Sequence, residues 1–282
     1  MPRQKRVCAI HDISCFGRCS LTVALPIISA VGVECTCLPT AVLSTHTGGF
    51  TGYTVRDLTD DLSPIAAHWD TLGLAFDAAY TGYLGSFEQI GIVSEILAGM
   101  HAKGALIICD PVMADNGKLY PAFPDNFPDG MRSLCEQADI ILPNLTEACL
   151  MLGIEYKPGG QTREYVEQVL HGLARLPRKT AVLTGVSFEE NKLGAAAIDV
   201  ATGEISYTMT ERVPHMYHGT GDVFASAFVA AHVAGKPSGD ALAIAARFTA
   251  DAVARTLAAG SDDRFGVNFE AGLLSLAQAA AE

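Results

Sequence analysis

Apolar residues along this chain follow two rhythms. Short runs such as Val7-Cys8-Ala9-Ile10, Ala105 to Cys109 and Ile140-Ile141-Leu142 are apolar at every position, as in strands buried on both faces. Leu21 to Val31, Ser86 to His101 and Arg163 to Leu173 instead carry apolar residues at helical spacing. Taken in order, the pattern predicts strand Val7–Ile10, loop His11–Gly17, helix Leu21–Val31 in spite of Pro26, and the β-branched strand Val33–Leu43. A mostly helical Asp57–Phe76 with Trp69 on its core side, strand Ala78–Leu84 and helix Ser86–His101, capped by Ser86, come next. Strand Ala105–Cys109 leads through a proline-rich loop to helix Met131–Gln137, strand Ile140–Leu142, helices Thr146–Leu152 and Arg163–Leu173, and strand Ala181–Leu183. Leu193–Val200 and Glu204–Thr208 read as an antiparallel hairpin turned at Thr202-Gly203, and helices Ser238–Leu257 and Phe269–Ala281 close the chain. Strands alternating with helices predict parallel βαβ units in an α/β fold, and no linker or repeat divides 1–282 into more than one domain.

In an open parallel sheet, the loops leaving the strand C-termini form the ligand crevice. His11–Gly17, Ser44–Gly52, Asp110–Asp115, Asn144–Glu147 and Thr184-Gly185 all leave strands in that sense. The segment 209–218 is polar, carries Met and His, and reads as a flap.

That flap leads into His218-Gly219-Thr220-Gly221-Asp222-Val223-Phe224, where two glycines, a hydroxyl and a carboxylate precede an apolar helix running to Val233 and closed by Gly235. Free amides and the positive end of the helix dipole make such a start an anion site. Asp222 would compete with an anion unless it serves another group, so it reads either as a proton acceptor or as an ordinary first-turn charge. Asp110 and Glu147 stand at two strand ends, and hard oxygen ligands there suit Mg²⁺. Each also has a plainer reading, as a turn residue before Pro111 and as a helix-start charge.

A net charge of -12 argues against nucleic-acid or anionic-membrane surfaces, so an anionic ligand must be met by local dipoles and metal. Eight cysteines without a C-x-x-C pair or zinc-type histidine spacing read as reduced core thiols of a cytoplasmic protein. The basic start Met1 to Arg6 precedes only a short apolar run, and no stretch reaches the length of a membrane span. There is no G-x-x-x-x-G-K-[ST], and Gly219-Thr220-Gly221 lacks the third glycine and the preceding strand of a dinucleotide fingerprint.

The Gly-Thr-Gly-Asp turn resembles the anion hole of the ribokinase-like kinases. With Asp110-Pro111-Val112-Met113-Ala114-Asp115, Pro143-Asn144-Leu145-Thr146-Glu147, Ser44-Thr45-His46-Thr47-Gly48 and Thr81-Gly82-Tyr83-Leu84-Gly85 in this order, the chain resembles the pyridoxal kinase branch. The resemblance implies a three-layer α/β/α fold and transfer of the ATP γ-phosphoryl to the 5'-hydroxymethyl group of pyridoxal, pyridoxine or pyridoxamine, by a homodimer using Mg²⁺. It implies that Asp222 deprotonates the hydroxyl and that Gly219, Thr220 and Gly221 hold the phosphoryl oxygens. Asp110, Asn144 and Glu147 would meet metal and triphosphate, Asp115 would be a second acidic position, and Thr184-Gly185 the nucleotide-side turn. His46 and Thr47 would contact the pyridine substituents, with Tyr83 against the ring. Asp12 stands where a serine is usual, and as a carboxylate it would favour a cationic partner. Leu142 stands where a threonine is usual, which departs from the pattern for a monovalent cation. Hydroxymethylpyrimidine kinase shares fold and motif and is the alternative activity, and a vitamer-binding protein without transfer is the alternative class.

Overall fold

The computed structural model describes residues 3–282; Met1 and Pro2 of the basic start lie outside the described residues. In chain order the elements are β1 (Arg6–Ser14), α1 (Leu21–Ala30), β2 (Glu34–Leu43), β3 (Val55–Asp57), α2 (Thr59–Thr71), β4 (Ala78–Thr81), α3 (Phe87–Ala102) and β5 (Leu106–Cys109). A short hairpin of β6 (Ala114–Asp115) and β7 (Lys118–Leu119) precedes α4 (Phe127–Cys135), β8 (Ile140–Ile141), α5 (Leu145–Leu152) and α6 (Arg163–Leu173). Then come β9 (Thr180–Val186), β10 (Lys192–Asp199), β11 (Ile205–Glu211), α7 (Thr220–Ala234), α8 (Ser238–Ala258) and α9 (Leu273–Ala281).

The sheet order is β11-β10-β9-β8-β5-β4-β1-β2-β3, with parallel pairing from β2 to β9 and antiparallel strands at both edges. Alternate residues of one strand feed opposite cores, as the pleat requires. Cys8 and Ile10 pack with α3, α4 and α6, whereas Val7 and Ala9 pack with α1, α7 and α8. This is a three-layer α/β/α arrangement, and both faces of the parallel strands are covered, which explains their unbroken apolar runs.

The observed helices agree with the apolar spacing to within a few residues, and Ser86 caps α3 by accepting from Gln89 N. Three departures bear on function. β1 runs on to Ser14, so His11 and Asp12 lie on a strand instead of a loop; β2 supplies the pairing that extends it beyond Ile10. β11 runs to Glu211, which shortens the expected flap to 212–218. β3 and the β6–β7 hairpin lack a sequence signal because each is only two or three residues long. Trp69 is half-buried at the edge of the core and stacks on Phe76.

Candidate active site

The C-terminal ends of the parallel strands bring the acidic residues together. Asp110 directly follows β5 and is buried at 6% exposure. Asn144 caps α5 in a reciprocal pair with Glu147: Asn144 Oδ1 accepts from Glu147 N at 2.9 Å, and Glu147 Oε2 accepts from Asn144 N at 2.9 Å. Glu147 Oε1 also accepts from Met113 N at 3.1 Å, and Asn144 Nδ2 donates to Ala114 O at 2.9 Å. Both Glu147 oxygens are therefore held by backbone amides in a residue 2% exposed, and its plainer role as a helix-start acceptor is real. Burial pushes its carboxyl up to about 8 against those amides. Asp110 is raised well above the usual carboxylate range by burial first, then by the charges of Glu147 and Asp222.

An Asp110 whose proton affinity is raised by burial and by the charges of Glu147 and Asp222 forms a site that a divalent cation would relieve. Among the described residues no three acidic, His or Cys groups gather as a metal cage. Asp110 with Glu147 beside it is a donor set that Mg²⁺ could use, since that ion takes one or two carboxylates and completes its shell with water and phosphate oxygens.

Opposite this pair, α7 opens at the Gly-Thr-Gly-Asp turn. Gly219 is left-handed at φ 75°, and a Cβ there would meet Arg18 O at 1.9 Å, so only glycine fits. A Cβ on Gly221 would meet nothing within 4 Å, so its amide borders open space. The Thr220 hydroxyl donates to Tyr217 O at 2.8 Å, which ties it to the turn. Asp222 is half-buried, and burial pushes it up to about 7. The Ser20 N–H opposes that shift and the charge of Asp12 adds to it.

On the acceptor side the side chains are more committed than the sequence suggests. Asp12 is 5% exposed, with Oδ1 accepting from Ser20 Oγ at 2.6 Å and Oδ2 from Ser14 Oγ at 3.1 Å. Each oxygen thus already accepts one hydroxyl, from its own strand and from the start of α1. His46 is also buried: Nδ1 accepts from Gly48 N at 3.1 Å, which leaves Nε2–H to donate to Arg264 O at 2.6 Å. It anchors the 44–52 loop, with neither ring nitrogen free for a ligand. Thr47 is exposed, and Tyr83 is half-buried with its phenol raised by burial and then by Asp12.

Thr184 and Gly185 form no turn. They lie within β9, where Gly185 at φ 78° sits in the register shift opposite β10 and Thr184 N donates to Pro143 O at 3.0 Å. They adjoin Asn144 through a β-bridge. The 212–218 segment is fastened by His215 to Asp263 at 2.6 Å, and the His218 ring packs over Gly48 and Gly49. Asp115 is exposed at the β6–β7 turn, where its Oδ1 accepts from Asn116 N at 2.8 Å.

Sequence reasoning missed Tyr120, Arg18 and Ser20. The Tyr120 phenol is raised by burial and by Glu147, Asp115, Asp222 and Asp110, so it borders the acidic site. Tyr120, Phe123 and Tyr83 form an aromatic wall with centroids 6.3 and 5.6 Å apart. The aromatic spacing of this loop is a usable signal; Arg18 acts on Gly219 through its backbone carbonyl and Ser20 through a contact with Asp12 that only the fold creates, and neither leaves one.

A profile of the phosphomethylpyrimidine kinase family matches residues 24–266. A protein of Bacteroides thetaiotaomicron, solved with pyridoxal, is 37% identical with a TM-score of 0.91, covering 97% of this chain and 96% of that one. The pyridoxal kinase of Lactobacillus plantarum is 35% identical with a TM-score of 0.88, covering 96% of each chain. Pyridoxal kinase PdxY of Histophilus somni is 29% identical over 190 residues, 63% of this chain and 63% of that protein, so the matched part spans under two thirds of that relative.

Proposed function

Because this chain belongs to the phosphomethylpyrimidine kinase family, within which it is similar to pyridoxal kinases of the ribokinase-like superfamily, we propose that it phosphorylates the 5'-hydroxymethyl group of a vitamin B6 vitamer at the expense of ATP. The observation that carries this reading is the half-buried Asp222, with a proton affinity near neutrality, at the open helix start of α7 and across from the buried Asp110 and Glu147. The pyridoxal found with the Bacteroides relative supports the same acceptor.

In this mechanism Asp222 accepts the proton of the acceptor hydroxyl as its oxygen bonds to the γ-phosphorus, and the bond from that phosphorus to the β-phosphate bridging oxygen breaks to release ADP. A carboxylate with affinity near 7 is well matched to that transfer at neutral pH. The amides of Gly219 to Gly221 and the α7 dipole stabilise the equatorial oxygens. Asp110 would hold Mg²⁺ with the charge of Glu147 behind it, and the ion would supply positive charge to the phosphates. Asn144 and the adjoining Thr184-Gly185 bulge border the triphosphate, while Thr47, Tyr83 and the Tyr120 wall enclose the acceptor ring. Asp12 and His46 support this side from behind. The described chain would act as one kinase domain, in the cytoplasm and as a homodimer.

The family profile itself favours a second reading, phosphorylation of a hydroxymethylpyrimidine. Incubating the protein with Mg-ATP and, separately, pyridoxal, pyridoxine, pyridoxamine and hydroxymethylpyrimidine, with mass detection of phosphorylated product, separates the two. Product from the pyrimidine alone overturns the first reading. Binding of vitamers without product from any of them would leave a binding protein.

A further inference from the structure

Among the described residues only two that are not glycine have positive φ: Asn116 and Ser20. Asn116 occupies the β6–β7 turn, a conformation that asparagine tolerates. Ser20 is different. It sits at φ 55°, ψ -131° directly before α1, a conformation that glycine enters freely and serine does not. A serine in that place ordinarily caps the helix through its hydroxyl, yet this one makes no cap bond. Its Oγ turns back to Asp12 Oδ1 at 2.6 Å, and both residues are buried, at 6% and 5% exposure. Ser14 holds the other Asp12 oxygen at 3.1 Å, and Ser20 bridges Ile13 of the same strand. The backbone beside it is the seat of the phosphate-binding turn, since Arg18 O lies where a Cβ on Gly219 would stand. The Ser20 backbone lies near enough to the Asp222 carboxylate to lower its proton affinity.

We propose that Asp12 is a positioning residue, whose carboxylate locks Ser20 in its left-handed conformation and thereby holds the Arg18–Ser20 backbone against which the phosphate-binding turn, and Asp222 with it, is seated. This rests on the reading of Asp222 as the base. It also accounts for a carboxylate buried where the substrate reading needs an exposed one. Held by two hydroxyl donors, Asp12 is a stiff anchor on a central strand, and a conformation that serine resists persists only where its surroundings over-determine it.

The test is a double-mutant cycle. Asp12→Ala is expected to lower kcat by about 10- to 100-fold, with KM for ATP and vitamer within about twofold of wild type, because orientation and not ground-state binding is lost. Ser20→Gly needs no lock, so in that background Asp12→Ala is expected to cost less than about threefold. Equal losses in both backgrounds would overturn the proposal. So would a rise in vitamer KM at constant kcat, which would return Asp12 to the substrate. If Asp12→Ala does not fold, Asp12→Asn replaces it, since an amide oxygen can still hold one hydroxyl; its loss is expected to be smaller and likewise suppressed by Ser20→Gly. Denaturant unfolding of the same four proteins provides a readout without catalysis. Coupled stability losses at 12 and 20 support the lock, and additive losses reject it. Coupled stability with no product from any vitamer would refute the kinase reading while leaving the lock in place.

Discussion

Replacing Asp222 by Asn should make the protein more stable and far less active, and the pH dependence of the first effect can be worked from the site. The carboxyl moves from an ordinary 3.8 to about 7 on folding, mainly through burial. Ionising it in the folded state therefore opposes folding. The cost is small near pH 4, grows as pH rises from 3.8 towards 7, and is constant above that. At about 1.4 kcal/mol per pH unit, the ceiling is about 4 kcal/mol. Solvent reaching the half-buried carboxylate reduces this to about 2 kcal/mol. Urea unfolding of wild type and Asp222→Asn at pH 8 and pH 4.5 should show the variant more stable by about 2 kcal/mol at pH 8, falling to about 1 kcal/mol or less at pH 4.5. A coupled ADP-release assay at pH 8 should show turnover down by about 10²- to 10⁴-fold. An equal gain at both pH values would show that Asp222 carries no buried-charge penalty, and undiminished turnover would remove it as the base.

Three further outcomes test the rest of the site. Gly221→Ala should fold as well as wild type or better, by about 0.5–1 kcal/mol from helix propensity, yet lose phosphoryl transfer because its methyl enters the open space beside the turn, whereas Gly219→Ala should lose stability by about 1–3 kcal/mol; thermal melts and turnover of both distinguish the two, and an active Gly221→Ala would move the anion site elsewhere. Asp110→Asn should raise the Mg²⁺ concentration for half-maximal activity, while Glu147→Gln should also destabilise the protein by about 1–3 kcal/mol because an NH₂ would face a backbone N–H; metal titrations superimposable on wild type would separate these carboxylates from the metal. Amide exchange across 212–218 should slow when nucleotide and vitamer are both present, as expected of a segment that closes over the phosphoryl group, and identical exchange with and without ligands would leave it a static strap.

The sequence by itself determined most of the strands and helices and their order along the chain. Apolar runs with no polar face could only be strands covered on both sides, their alternation with helical stretches left a parallel α/β sheet, and loops at strand ends located the crevice. The glycine turn before α7 was legible because φ near 75° against Arg18 O admits no other residue. Asn144 and Glu147 were legible through the motif Pro143-Asn144-Leu145-Thr146-Glu147, while the capping box between them emerged with the structure. What the sequence left undecided was the state of each polar side chain, and this only the tertiary structure settled. Asp12 and His46 have the chemistry of substrate ligands, but packing commits the oxygens of one to Ser14 and Ser20 and the ring nitrogens of the other to Gly48 and Arg264. Ser14, Ser20 and Gly48 are near in sequence but face these groups only through the way strand and loops turn, and nothing in local periodicity encodes the bond to Arg264 across 218 residues. The proton affinity of Asp222 is likewise a tertiary property, because the burial that raises it exists only when β1, the start of α1 and α7 close around the carboxylate.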